Sequence, residues 1–350
     1  MSKDLFHKRD EGDPLSNLRE SFSIPEGVVY LNGNSLGPLQ NKVKQRLKEV
    51  IDLEWGEDLI TSWNKHGWMD LPEKVGEKIA PIIGASRGQV VCCDSISINL
   101  FKLLASAMQL RPSRTKILSQ LDNFPTDLYV AAGLGQILGK SKCTLELRSP
   151  KDLVAAMNEE VAVLMLSHVN FRDGSVHDVA DLTRIAHEKD ILVLWDLAHS
   201  AGVLSITVDE WDVDFAVGCG YKYLNGGPGA PSFLYVNKRL HDQFLQPLVG
   251  WMGHEKPFQF EQEFVPARGI RQFISGTPHI LSLVALDSAL EIFHEGFSDH
   301  IEKSLHSEWG SKWTEEIQHF NQHRPIKFNQ DGSIKKNYLV DGNIENLKIK

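Results

Sequence analysis

Hydrophobic residues along most of this chain form short continuous runs that alternate with segments of helical periodicity. Residues 161–166 and 191–194 are apolar throughout, which is typical of strands that are buried on both faces. Between these two runs, Val179, Leu182 and Ile185 recur at the spacing of a helix face. This alternation predicts an α/β fold in which helices cover both faces of a mostly parallel sheet.

The same patterns predict further elements on either side of this region. We expect strands at 90–94, 116–118, 215–217 and 232–236, and helices at 43–51, 71–83, 99–108 and 281–293. A further helix should follow Asp127 and run through Ala132. Residues 29–31 read as a short strand that enters a glycine-rich turn, and residues 62–68 read as an aromatic loop.

The length of the chain and a late change of pattern predict its division into parts. A chain of 350 residues exceeds one average domain and favours a large domain with a smaller one. We expect an N-terminal arm and first helix at 1–50, associated with the small domain, and a large ligand-binding domain at 51–295. Residues 296–350 lack alanine and show no strand–helix–strand pattern, so we expect a divergent or truncated segment and an incomplete small domain.

Composition narrows the function classes. Hydrophobic residues make up 42% of the chain and charged residues 24%, which is ordinary for a soluble globular protein. The net charge of -9 argues against nucleic acid or an anionic membrane as a partner. Neither a membrane-spanning run nor a signal peptide can be read. The four cysteines show no metal-ligand spacing and fit a reducing compartment, so we expect a cytoplasmic protein without a metal.

The candidate chemistry centres on a lysine in a glycine-framed turn. Lys222 lies between Gly220 and Gly226, shortly after an apolar run, and Asp196 ends another such run just before His199. Pyridoxal phosphate enzymes need a lysine for the Schiff base and a carboxylate that keeps the pyridine nitrogen protonated. Taken alone, such a lysine is more often a surface residue and such an aspartate a turn residue. Their pairing is what indicates a cofactor site.

Several candidate side chains share one position relative to the predicted strands. Each follows the end of a strand, where ligands bind on parallel sheets; these residues are Ser97, Phe124, Ser167, Asp196 and Lys222. Ser97 has two interpretations, because a hydroxyl at a helix start either caps free backbone N–H groups or helps them hold a phosphate. From the sequence alone, the cap is the more common case.

Six motifs make the chain resemble the kynureninases, pyridoxal phosphate enzymes of the class V branch of fold type I. They are Leu31-Asn32-Gly33-Asn34-Ser35-Leu36-Gly37, Asn123-Phe124-Pro125-Thr126-Asp127, Ser167-His168-Val169-Asn170, Trp195-Asp196-Leu197-Ala198-His199, Tyr221-Lys222-Tyr223-Leu224-Asn225 and Val249-Gly250-Trp251-Met252-Gly253-His254. The aspartate and lysine motifs recur across class V enzymes, whereas the last two motifs together are particular to kynureninases. The resemblance covers about residues 29–300.

The resemblance implies a role for each matching residue. Lys222 would form the Schiff base and move the Cα proton, Asp196 would pair with the pyridine nitrogen, and Phe124 would stack on the ring. The pocket for pyridoxal 5'-phosphate would be completed by Ile96, Ser97, Asp127, Ser167, His199 and Tyr221. Ser97 and Tyr221 would be among the phosphate contacts.

The remaining implied residues concern a second subunit and the substrate. Trp251 and Thr277 would reach the phosphate across the interface of a homodimer with a shared active site. Trp63 and Gly276 would border the aromatic ring of the substrate, L-kynurenine or 3-hydroxykynurenine. Tyr221 would either donate a proton during bond cleavage or only bind phosphate, and both alternatives stay open.

The implied reaction is the hydrolytic cleavage of the Cβ–Cγ bond of L-kynurenine to anthranilate and L-alanine, a step of tryptophan catabolism linked to NAD biosynthesis. Kynureninases carry a later segment with an arginine that grips the substrate carboxylate. No match to it follows about residue 303, so we expect impaired turnover.

Other function classes remain open beside this interpretation. Another class V enzyme, such as an aminotransferase, would share the cofactor chemistry. A cysteine desulfurase is disfavoured because Cys219 is the last cysteine and precedes the lysine. A non-catalytic remnant of a kynureninase is a further alternative. A nicotinamide-binding fold is a weak one, since no Gly-x-Gly-x-x-Gly follows the first strand.

Overall fold

A seven-stranded sheet organises the part of the chain that the computed structural model describes, residues 15–293. The start of the predicted arm and the predicted segment 296–350 lie outside the described residues. The strands are β1 (Val90–Cys92), β2 (Lys116–Gln120), β3 (Thr144–Arg148), β4 (Val161–Ser167), β5 (Leu192–Asp196), β6 (Phe215–Cys219) and β7 (Ser232–Val236). Their order across the sheet is β1-β7-β6-β5-β4-β2-β3.

Six of these strands run in one direction and only β7 runs against them. Strands β2 to β6 pair in parallel, whereas β7 is antiparallel to β6 on one side and to β1 on the other. Because β1 opposes a strand that is itself reversed, β1 points the same way as the parallel set. The prediction of a mostly parallel sheet is confirmed.

Helices cover both faces of the sheet, as the unbroken apolar runs predict. They are α1 (Asn41–Glu49), α2 (Ser62–Lys65), α3 (Leu71–Ile79), α4 (Ile96–Leu110), α5 (Pro125–Leu138), α6 (Leu153–Ala156), α7 (Val179–His187) and α8 (Ile280–Ala289). Along β5, Val193 and Trp195 enter one apolar core with α3, α7 and α8, whereas Leu192 and Leu194 enter a second core with α4 and α5. Successive side chains of a strand point to opposite faces, so one strand supplies both cores.

Helix ends differ in detail from the sequence-based boundaries. The helix predicted at 71–83 tightens after Ile79 into a 3-10 turn that stops at Gly84, whose φ of +62° suits glycine. The one predicted at 99–108 extends over 96–110, and the one predicted after Asp127 through Ala132 begins at Pro125 and continues to Leu138. Residues 62–68, predicted as a loop, include the short helix α2. None of the described helices is long and apolar enough to cross a membrane.

One strand prediction was wrong, and one strand was missed. The strand expected at 29–31 does not form, and Val29 and Leu31 are 82% and 86% exposed. An apolar stretch needs a neighbouring strand edge to become a strand, and within residues 15–293 this stretch finds none. Strand β3 was not predicted, because edge position leaves it only half-buried and its charged Glu146 and Arg148 interrupt the apolar pattern.

A glycine fixes the N-terminal segment against the turn that carries Lys222. The Gly37 N–H donates to the Tyr221 carbonyl over 2.8 Å. A Cβ at this position would overlap the Lys222 carbonyl oxygen and the Asn225 side chain, so any larger residue must displace the segment. By contrast, a Cβ at Gly33 would make only ordinary contact with the Tyr223 ring.

We therefore expect Gly37→Ala to lower the free energy of unfolding by about 1–3 kcal/mol, the usual cost of overpacking. Gly33→Ala is the matched control and should change it by less than about 0.5 kcal/mol. Urea unfolding followed by circular dichroism measures both. Equal effects of the two variants would show that the close approach at Gly37 does not hold the segment.

Candidate active site

A cavity of about 320 Å³ opens at the carboxyl ends of the parallel strands. Nine residues singled out from the sequence line it together: Ile96, Ser97, Phe124, Asp127, Ser167, Asp196, His199, Tyr221 and Lys222. They come from the carboxyl ends of five strands, β1, β2, β4, β5 and β6, and from the segments that follow them, which the sheet brings to one edge.

The N-terminus of α4 forms one end of the cavity. Ser95 is the residue that precedes the helix, and its side chain makes no capping hydrogen bond. Ile96 and Ser97 are the first two helical residues, so the interpretation of Ser97 as the cap was wrong. The first N–H groups of a helix have no partner within it and carry the positive end of its dipole. This end of the cavity is therefore suited to an anion such as phosphate.

Lys222 and His199 form a close pair inside the cavity. The Lys222 Nζ lies 2.6 Å from the His199 Nε2. Burial and the nearby lysine charge lower the pKa of His199 to about 4, so its imidazole is neutral at pH 7. The Nε2 then accepts a hydrogen bond from the Lys222 Nζ, and the ring carries its own hydrogen on Nδ1. The His199 ring thus orients the Lys222 amine and adds no positive charge beside it.

Two buried carboxyl groups, those of Asp127 and Asp196, also line the cavity. Asp196 ends β5, is 6% exposed, and its Oδ1 accepts the Ala198 N–H over 2.8 Å. Burial raises the pKa of Asp196 to about 6, against the opposing effects of that hydrogen bond and of Lys222. Burial raises the pKa of Asp127 well above its usual range, and the charge of Asp196 adds to the rise. Two acids so placed favour a cationic ligand group between them.

The Asp127 carboxyl lacks a hydrogen-bond partner in the part of the chain that the structure describes. It is fully buried in the first turn of α5, and neither carboxyl oxygen meets a donor from residues 15–293. Buried polar atoms are nearly always satisfied, so an orphaned carboxyl that lines a cavity indicates a ligand with a donor group. A protonated ring nitrogen is such a donor.

The orphaned carboxyl should cost stability in protein freed of ligand. The pKa of Asp127 is higher in the folded protein than in the unfolded chain. At pH values between these two pKa values, the Asp127 carboxyl is therefore protonated in the folded protein and ionised in the unfolded chain. Stability therefore falls as pH rises above about 4 and stays reduced above the folded pKa. We expect Asp127→Asn to raise the melting temperature at pH 8 by about 2–4 °C per kcal/mol of cost removed, and not at pH 4.

Thermal unfolding at both pH values, with exposed Asp242→Asn as the matched control, tests this expectation. A variant that melts below the unsubstituted protein at pH 8 would contradict it.

Three aromatic rings line the cavity, those of Phe124, Phe171 and Tyr221. The Phe124 ring centroid lies 5.8 Å from the Lys222 Nζ, and Phe171 packs edge-on against Phe124 at 5.2 Å between centroids. Phe171 thereby holds the Phe124 ring in place. The Tyr221 ring lies 5.9 Å from the same Nζ, and burial raises the pKa of Tyr221, so its hydroxyl stays protonated and can donate. A flat aromatic ligand can bind between such walls.

Cys219 lines the cavity but lacks the properties of a nucleophile. It is the last residue of β6, is 4% exposed, and burial raises the pKa of its thiol to about 11. A nucleophilic cysteine is instead exposed and held as a thiolate. This placement argues against the cysteine desulfurase alternative. No cluster of metal-ligating side chains occurs within residues 15–293.

Four predicted residues do not line this cavity. Gly276 and Thr277 border a smaller groove beside Asp94, and Trp63 and Trp251 pack at the margin of the second apolar core. Trp63 also meets Trp68 edge-on, at 5.8 Å between centroids. Their predicted roles remain predictions.

Sequence reasoning missed several cavity residues, namely Ser95, Thr126, Val169, Phe171, Ala198, Ala230 and Ser232. Thr126 and Ala198 lie inside motifs that were recognised, so proximity to a motif could have found them. Phe171 carries no such signal, because its contact with Phe124 depends on the path of a loop.

Comparisons with known proteins agree with this geometry. The profile of the class V aminotransferase family matches residues 68–332. A kynureninase from Burkholderia pseudomallei (strain 1106a) is 46% identical over 288 residues, which cover 81% of this chain and 69% of that protein. A kynureninase from Pseudomonas fluorescens is 44% identical over the same shares of the two chains.

Solved structures support the fold. An apo cysteine desulfurase from Thermococcus onnurineus NA1 superposes with a TM-score of 0.67 at 19% identity, covering 93% of this chain and 80% of that one. A C-DES mutant with glycine covalently linked to its pyridoxal phosphate cofactor gives a TM-score of 0.66 at 17% identity, covering 78% and 73%. At such identities the likeness concerns the fold alone, which is that of fold type I. Together with the curated relatives, it establishes that this chain belongs to the kynureninase family, within the class V aminotransferases.

Proposed function

We propose that this protein uses pyridoxal 5'-phosphate to hydrolyse the Cβ–Cγ bond of L-kynurenine, giving anthranilate and L-alanine in tryptophan catabolism. The observation that carries the proposal is the meeting of the Lys222 amine with two buried carboxyls, Asp127 and Asp196, in one cavity of a kynureninase-family chain. The chemistry demands a nucleophilic amine at one end of a flat ring and an acid at the other.

The cavity residues fit the cofactor group by group. The phosphate suits the start of α4, where Ser95, Ile96 and Ser97 line the cavity. The ring suits the face of Phe124, and the ring nitrogen suits the carboxyl of Asp196, with Asp127 beside it. When bound, pyridoxal phosphate supplies a conjugated cation that accepts the electrons released at Cα and Cβ.

The protein's own residues would then move protons. Lys222 is the base at Cα, and neutral His199 keeps its amine positioned within the cavity. Tyr221 has a protonated hydroxyl at this site and is suited to donate a proton to the leaving Cβ, while phosphate binding is its alternative role. Water must also reach the γ-carbonyl, which an open cavity mouth permits.

We further propose a homodimer in which Trp251 and Thr277 reach the cofactor phosphate of the other subunit, and Trp63 and Gly276 border the substrate ring. Supporting this, Val29, Leu31 and Ile60 are 82%, 86% and 76% exposed, and such apolar surface favours burial against a second copy. Light scattering tests the dimer. A cytoplasmic location is supported by the four cysteines, which are all free.

The test is direct. Purified protein is incubated with pyridoxal phosphate and L-kynurenine or 3-hydroxykynurenine, and anthranilate or its hydroxy form is followed together with alanine. The proposal expects equal amounts of the two products. Conversion of the cofactor to its amine form with L-alanine, without anthranilate, would instead indicate an aminotransferase. Absence of cofactor binding would indicate a non-catalytic relative.

The expectation of impaired turnover concerns residues 296–350, which lie outside the described residues, and it stays a prediction. The same assay, run beside the Pseudomonas fluorescens kynureninase, tests it. Equal kcat values for the two proteins would contradict it.

A further inference from the structure

The side chain of Asn123 makes three hydrogen bonds next to the cavity, although Asn123 does not line the cavity itself. The residue is 6% exposed and follows β2 in the chain. Its side-chain oxygen accepts the Phe124 N–H over 2.8 Å and the Ser167 hydroxyl over 2.6 Å. One buried amide thus contacts both the residue whose ring walls the cavity and the hydroxyl at the end of β4.

Two backbone groups, the Met165 carbonyl and the Phe124 N–H, fix the donor and acceptor roles in this hydrogen-bond network. The Ser119 hydroxyl donates to the Met165 carbonyl over 2.6 Å, so its oxygen is free to accept from the Asn123 Nδ2 over 3.1 Å. The Asn123 oxygen then faces the Phe124 N–H, which can only donate. The same oxygen can take a further proton only from the Ser167 hydroxyl. The register of the sheet, which pairs Ser119 with Met165, holds the chain in place.

From this order of donors we infer that Asn123 is a positioning residue that turns the Ser167 hydroxyl proton away from the cavity and leaves the oxygen of Ser167 as an obligatory acceptor toward the ligand. The inference rests on the proposed cofactor. It assigns a chemical requirement to that part of the cavity, namely that the ligand group against Ser167 must carry a proton. Asn123 itself touches no ligand and acts through Ser167 and Phe124.

A fixed acceptor has a directional consequence for the bound cofactor. An acceptor hydrogen bond favours the protonated form of the group that donates to it, and its removal lowers the pKa of that group. The titratable groups around Ser167 and its network remain unchanged in the alanine variants, and only these variants are used for the pH midpoint; the groups are Asp122, Asp127, His177, Asp196, His199 and Lys222. A shift in the cofactor's own titration therefore reports the lost acceptor.

The experiment uses the full chain loaded with pyridoxal phosphate, and measures the cofactor Kd and the pH midpoint of its absorption change. We expect Ser167→Ala and Asn123→Ala each to weaken binding about tenfold and to move the midpoint to lower pH. Because Asn123 acts through Ser167, the effects of the two substitutions should not multiply. The cofactor Kd of the double variant should be within about threefold of that of the single variant that binds more weakly. Multiplied effects, or a midpoint that moves to higher pH, would overturn the inference.

Two further variants separate positioning from simple loss of fold. Asn123→Asp keeps an oxygen that accepts both donors and should recover the cofactor Kd to within about threefold of the unsubstituted protein. Asn158→Ala removes a comparable bond to a backbone N–H, that of Glu160 at 2.9 Å, far from the cavity, and should change neither quantity. If Asn123→Asp binds as poorly as Asn123→Ala while melting normally, the inference fails. If the unsubstituted protein binds no cofactor, the proposed function fails instead.

Discussion

Replacing Lys222 by alanine is expected to abolish covalent attachment of pyridoxal phosphate and to reduce the rate of kynurenine cleavage by at least about 10³-fold. The amine lies 2.6 Å from the His199 imidazole and within 6 Å of two aromatic rings, and no other lysine lines the cavity in the described part of the chain. Within residues 15–293, no other amine that lines the cavity could substitute for it. The fold should survive, because alanine leaves the strand and turn unchanged.

Borohydride reduction followed by peptide mapping measures this effect. In the unsubstituted protein the label should be found on Lys222, and in Lys222→Ala on no lysine. Lys151→Ala removes an exposed lysine outside the cavity and serves as the matched control, with label and rate unchanged. A label that persists in Lys222→Ala would show that a different amine carries the cofactor, and the proposed chemistry would be wrong.

The second large effect is expected for Asp196→Asn, which should lower kcat by about 10²–10³-fold. The amide oxygen still accepts the Ala198 N–H, so the local backbone is preserved while the negative charge is lost. The Asp196 carboxylate would hold the ring nitrogen of bound pyridoxal phosphate protonated, and without its charge the cofactor would be a weaker electron acceptor. Spectra of the bound cofactor and steady-state rates measure the change.

Asp127→Asn is the informative companion, because Asp127 is also buried and lines the same cavity. We expect it to weaken cofactor binding more than it slows turnover, since the charge of Asp196 would remain. The reverse ranking, with turnover nearly intact in Asp196→Asn and lost in Asp127→Asn, would assign the ring nitrogen to the other carboxyl.

The sequence could predict those parts of the fold that depend on burial alone. Strands β4, β5 and β6 are apolar almost throughout because both faces are covered, and the residues after them converge on the cavity as expected. An apolar run does not encode direction, so the reversal of β7 could not be predicted. The half-buried β3 gave no run at all, and the exposed segment 29–31 gave a misleading one.

Chemistry was predictable where it depends on residue type, and not where it depends on partners. Lys222 and Asp196 stand out by type and position. The unpaired carboxyl of Asp127 and the hydrogen bonds of the Asn123 side chain depend on which atoms meet between segments that are far apart in the sequence. Spacing along the chain carries no such information. Ser97 shows the same limit, because its place in the first turn, rather than before it, decides between cap and cavity residue.

The antiparallel seam between β1 and β7 has a consequence for biosynthesis. These are the first and last strands of the sheet in the chain, and Val90 pairs with Tyr235. During translation from the N-terminus, β1 therefore has no edge to join until β7 has left the ribosome. Helix α4 follows β1 directly in the chain, so its N-terminus takes its place in the cavity only after β1 has paired with β7. The end of the cavity suited to phosphate is therefore completed last. Binding of vitamin B6 should begin only when the sheet is complete.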